Sequence, residues 1–215
     1  MQKDDLIKLF SRDHLARLDN IKQWLEYDRH QQESVSQHSY KVSVFTMCLL
    51  DYLWPGGDDN NTVAAFKYQT LKMALMHDFD EAVLRRDITH ELKYNAYNGS
   101  ELRNVLDEFV AHQVADEFGD DSVVSKTLSK DAPYYDVAHA IVKVADWMAL
   151  LYFLKRELAM GNRSWPLDLL PYCKESYRKA VSTLQSTCVS ADICEQERLM
   201  YVWVGAINDL QNDII

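Results

Sequence analysis

Residues that break helices are scarce in this 215-residue sequence, which has six glycines and four prolines. The β-branched alternation expected of strands hardly occurs either, so the chain reads as nearly all helix. Four cysteines, Cys48, Cys173, Cys188 and Cys194, form no Cys-x-x-Cys pair. That excludes the common thiolate metal knuckles and dithiol redox motifs, and reduced thiols are expected. The longest unbroken apolar run, Trp147 to Leu154, falls far short of the roughly 20 residues of a membrane span. The opening Met-Gln-Lys-Asp-Asp has no apolar signal core, so a cytoplasmic protein without a membrane partner is expected. No basic run relieves a formal charge of −10, which disfavours binding to a nucleic-acid polymer through its phosphates. A small phosphorylated ligand is still allowed, because one bound cation and a few local Lys or Arg outweigh a distant negative surface.

What the chain does have is amphipathic helix. With 47% apolar and 26% charged residues it can bury a sizeable core. No repeat, low-complexity tract or linker forces a division, so a single domain over residues 1–215 is expected. Leu6 to Ile21 reads as an opening helix or pair of helices, with a break near Ser11 and Asp13, followed by a polar irregular segment from Tyr27 to Glu33. Helical spacing resumes at Ser36 and stops at Trp54-Pro55-Gly56-Gly57. A helix capped by Thr62 should run to His77, and a further one from Gly99-Ser100 to about Gly119. Tyr134 to Met160 carries a continuous apolar stripe closed by Gly161-Asn162, and Asp168 to Gln185 and Glu195 to Leu210 complete the helices. The segment from Asp87 to Gly99 lacks periodicity and is expected to be a loop over a site.

Chemistry concentrates where polar residues interrupt apolar helices. His77 and Asp78 are adjacent at the end of one apolar run, with Glu81 four residues beyond the histidine. His38 lies in the first turn of an earlier helix, and Asp146 falls inside the apolar stripe of a later one. A borderline divalent ion takes imidazole nitrogen and carboxylate oxygen from rigid elements and keeps a position for water or substrate. Antiparallel packing of these helices would gather the four. Each residue also has an ordinary reading: His38 as a locally hydrogen-bonded helix start, His77-Asp78 as a solvated helix end, and Asp146 as the partner of Lys143 three residues earlier. Their combination is what favours a metal site.

The order His, His-Asp, Asp on successive helices resembles that of the HD-domain metal phosphohydrolases. Glu33-Ser34-Val35-Ser36-Gln37-His38-Ser39, His77-Asp78-Phe79-Asp80-Glu81, Asp87 with Lys93-Tyr94, and Val142-Lys143-Val144-Ala145-Asp146 look like the blocks of the YfbR-type 5′-deoxynucleotidases over roughly residues 12 to 165. The resemblance implies an all-α HD-domain bundle of roughly seven to nine helices, commonly a homodimer. It implies one divalent transition metal (Co, Mn, Zn or Fe) on His38, His77, Asp78 and Asp146. It further implies Glu81 as the catalytic acid, Asp87 near the sugar and Trp24 packed by the deoxyribose. Arg86, Lys93 and Lys143 are candidates for the phosphate, whereas Arg29 reads first as a surface charge.

Three departures stand out. Gln23 replaces the Arg that the family places before the Trp, Arg85 and Arg86 lengthen the Glu81–Asp87 spacing by one residue, and Gln37 replaces a Glu before His38, which would weaken a contact to that histidine. The implied reaction is removal of the 5′-phosphate of a deoxynucleoside monophosphate by water activated at the metal, with no Ser or Cys nucleophile. Two other readings remain open: a triphosphohydrolase that releases tripolyphosphate from deoxynucleoside triphosphates, and a non-catalytic sensor of metal and nucleotide.

Overall fold

A computed structural model describes residues 14–24, 27–54, 61–84 and 134–190, together with 105, 108–109, 111–113 and 115–116. Six helices lie within these residues: α1 His14–Asn20, α2 Val35–Leu53, α3 Asn61–Met76, α4 Phe79–Leu84, α5 Tyr135–Ala159 and α6 Trp165–Ser190. The described residues between 105 and 116 are helical too, where the sequence predicts a helix. Among the described residues there is no strand beyond one antiparallel bridge, Lys22 to Ser34. The expected all-α class is observed. Contacts divide the chain into two compact units, residues 1–41 with 75–132 and residues 42–74 with 133–215.

In the first unit α1 packs on α4, with Leu18, Phe79 and Ala82 buried and the Arg17 guanidinium within 3.5 Å of the Ala82 carbonyl oxygen. Beyond α1 the chain makes a loop whose two ends are fastened together. Val35 N–H donates to Ile21 O and Gln23 N–H to Glu33 O, each at 3.0 Å, on either side of the Lys22–Ser34 bridge. Helix α2 starts directly from this clasp through a capping box. Gln37 N–H donates to Ser34 Oγ at 3.3 Å, and Ser34 N–H donates back to Gln37 Oε1 at 3.0 Å. Two amide groups that a helix start leaves without partners are satisfied reciprocally, which fixes where the first turn begins.

The second unit is built on α5 and α6, which pack together. Helix α5 is apolar on almost every side and buries Ile141, Leu150, Phe153 and Leu154 among others. By length and composition it could cross a membrane, but 72% of the qualifying stretch is buried inside the protein, as befits a core helix. It ends in a Schellman motif: Gly161 N–H donates to Leu158 O at 3.1 Å and Asn162 N–H to Glu157 O at 3.0 Å, with Gly161 at φ 89°. The Asn162 side chain donates to the Glu157 carboxylate at 2.7 Å, so this wholly buried acid is met by an amide. Aromatic contacts tie the remaining pieces together: Phe66 lies 5.3 Å from Trp54 and 6.0 Å from Tyr134, ring centre to ring centre. Two boundaries differ from expectation. Thr62 lies within α3 rather than before it, and α6 begins at Trp165, because Pro166 is tolerated in a first turn where an N–H has no helical acceptor.

Candidate metal centre

The first unit brings three of the expected ligands together. His38 is carried by the first turn of α2, which the capping box holds in place. His77 and Asp78 form the short turn between α3 and α4, closed by Glu81 N–H donating to Asp78 O at 3.1 Å. One ligand atom from each of His38, His77 and Asp78 lies within 4.8 Å of the other two, with His38 and Asp78 buried and His77 half-buried. Asp78 Oδ2 stands 3.1 Å from His77 Nε2 and 3.9 Å from His38 Nε2, and the imidazole ring centres are 5.5 Å apart. Donors sharing one ion at roughly 2.1 Å stand about 3 to 3.5 Å from one another. The His77–Asp78 pair already has that spacing while His38 stands wider, at 3.9 Å from Asp78, so the set fits a divalent cation in donor type and needs a small inward movement of His38 to close on one.

Behind His38 is a residue whose role the sequence reading missed. Glu33, 2% exposed, places Oε1 3.4 Å from His38 Nδ1 and receives Lys41 Nζ on Oε2. Burial pushes its carboxyl pKa up, but the contacts with His38 and Lys41 outweigh this and hold it below the ordinary value. Gln37 corrects an expectation. Its side chain is spent on the α2 cap and is exposed, so its replacement of a Glu leaves the flank of His38 to Glu33. A Ser-x-x-Gln sequence ahead of an apolar run is a legible capping signal and could have shown this.

Glu81, 1% exposed, occupies the first turn of α4 beside Asp80, whose Oδ1 accepts Glu81 N–H at 3.1 Å. Acids there complement the positive end of a helix. Trp24 follows Gln23 in the clasped loop with φ 62°, a left-handed backbone uncommon for a bulky residue. Tyr27 N–H donates to Trp24 O at 3.2 Å, and the two rings stand 6.3 Å apart. Gln23 is 6% exposed, and its side-chain Oε1 has no hydrogen-bond partner among the described residues. Arg29 donates to the Gln23 carbonyl and so braces the loop.

Asp146 belongs to the second unit. On α5 its Oδ2 receives Lys143 Nζ at 2.6 Å, the i, i+3 pairing read from the sequence, and Lys143 also stands 5.7 Å from the centre of the Trp147 ring. Asp87, Lys93, Arg85 and Arg86, like the final helix expected over Glu195 to Leu210, lie outside the described residues.

No curated protein matches the chain. Among solved structures, an HD-domain phosphohydrolase from Listeria innocua superposes with a TM-score of 0.55 over 97% of both chains at 19% identity, a likeness of fold. The sequence profile described as 5′-deoxynucleotidase YfbR-like matches residues 11–191, most of the chain and all four residues of the His, His-Asp, Asp order. The chain therefore belongs to the YfbR-like family of HD-domain phosphohydrolases.

Proposed function

We propose that the protein is a metal-dependent hydrolase that removes the 5′-phosphate of deoxynucleoside 5′-monophosphates. The observation that carries this reading is the convergence of His38, His77 and Asp78 in a chain of this family. These three would hold the ion, and family resemblance alone assigns Asp146 as a further ligand. A divalent ion bound there supplies Lewis-acid polarisation of a phosphoryl oxygen and of water.

The remaining work falls to the protein. Glu81, shielded from solvent in the first turn of α4, orients the attacking water or delivers a proton to the departing O5′. Trp24 offers an aromatic face for the deoxyribose, and its left-handed backbone is a strain of the kind retained at sites of function. Lys143, held on the Asp146 carboxylate, is a candidate for the phosphate. Asp87 is assigned to the sugar on family resemblance, and Arg86 and Lys93 are candidates for the phosphate by their positive charge in and beside the expected loop.

The test is to incubate the protein with Mn²⁺ or Co²⁺ and, separately, dAMP, AMP and dATP, and to separate the products by chromatography. Deoxyadenosine and inorganic phosphate from dAMP, with slower release from AMP, are expected. Tripolyphosphate from dATP without turnover of dAMP would overturn the monophosphate reading. Tight nucleotide binding without any turnover would replace it with a sensor.

A further inference from the structure

We propose that Glu33 is a positioning residue: its carboxylate, shared between Lys41 and His38, fixes the His38 imidazole with the proton on Nδ1 and Nε2 presented toward Asp78. The inference rests on the metal reading above and adds the mechanism that prepares one ligand for it.

An imidazole can bind an ion through either nitrogen, and the hydrogen bond made by the other decides which one is free. His38 Nδ1 faces Glu33 Oε1 at 3.4 Å, and its Nε2 lies 3.9 Å from Asp78 Oδ2. Both nitrogens face a carboxylate oxygen, which accepts and does not donate. Glu33 is the nearer, at 3.4 against 3.9 Å, and an ion seated beside Asp78 would take the lone pair of Nε2, which together assign the proton to Nδ1. Glu33 is itself immobilised at both ends. Its second oxygen takes Lys41 Nζ from the next turn of α2, and its backbone carbonyl is fixed by Gln23 N–H in the clasp. Lys41, Glu33 and His38 thus form a chain of contacts ending at the group that would hold the ion, anchored by the same backbone pairing that leads into Trp24.

Two measurements decide the matter. Long-range ¹H–¹⁵N correlation on the metal-free protein reads the tautomer of His38, assigned by its loss in His38→Ala; Nδ1–H is expected. Calorimetric titration with Mn²⁺ or Co²⁺ reads affinity. Glu33→Ala should weaken binding about 10- to 100-fold and release the tautomer preference. Glu33→Gln, which keeps an oxygen for Nδ1–H, should restore the tautomer and part of the affinity. Lys41→Met leaves the carboxylate and the backbone clasp in place and should weaken binding several-fold even if Glu33→Ala does not fold. An Nε2–H tautomer in the wild type, or variants binding metal within about twofold of wild type while His38→Ala loses it, would overturn the positioning role alone. A wild-type protein that binds no metal would overturn the site reading and this inference together.

Discussion

Asp78 and Glu81 are three residues apart and both buried, yet chemistry assigns them different work. Asp78 Oδ2 stands within 4 Å of both imidazoles, so its removal attacks the proposed ion's seat, whereas the proposed function gives Glu81 the proton handling. Glu81→Gln should therefore lower kcat by about 10²- to 10⁴-fold while leaving affinity for Mn²⁺ within a few-fold. Steady-state kinetics alongside metal titration separates the two effects, and equal losses in both would place Glu81 among the ligands instead. His38, His77 and Asp78 were legible in the sequence because imidazole and carboxylate are conspicuous beside apolar helical runs. Glu33 was not, because an acid just ahead of a helix ordinarily reads as a solvated charge at its positive end. Only its burial between Lys41 and His38 shows otherwise.

Among the elements, α2 matters most to the site because His38 is counted from its first residue. Ser34→Ala removes the side-chain acceptor for Gln37 N–H and should cost about 1 kcal/mol, measured by denaturant unfolding, with a detectable loss of metal affinity as the first turn frays. Unchanged stability would mean that the cap is supplied elsewhere. Helix α6 makes a prediction about alkali. Burial pushes the Cys173 thiol pKa from 9.0 up to about 12 and raises that of Tyr177 one turn later. A raised folded-state pKa means that the proton is retained on folding. The associated stability is complete below the unfolded pKa and is lost as pH rises from about 9 toward about 12. Melting temperatures from pH 8 to 11 should fall less steeply in Cys173→Ala than in wild type, although its starting value is lower because a cavity is left. Helix extents were largely readable from apolar period alone, as α2, α3 and α5 show. Starts were read less well: periodicity says which face is buried, while the first residue depends on side-chain caps and on Pro166, which are local hydrogen-bonding matters.

For the whole molecule, a ligand that binds only the folded state stabilises it by mass action. Mn²⁺ at 100 times its dissociation constant should add about 2.7 kcal/mol, seen as a higher melting temperature that EDTA reverses. No shift at saturating metal would count against a preformed centre. The resemblance set His38, His77, Asp78 and Asp146 on one ion in a single domain; contacts place the first three in one unit and Asp146 in the other, a grouping invisible to a linear pattern. Neither unit is continuous in the chain: residues 42–74 interrupt the first and complete their own unit only with residues from 133 onward. On the ribosome, α3 must therefore emerge and wait while residues 75–132 are made, with the part of its apolar face that meets Tyr134 uncovered in the meantime. Codon changes that slow elongation between 75 and 132 would prolong that exposure, and premature release at residue 132 would leave behind a product with an unmatched hydrophobic segment.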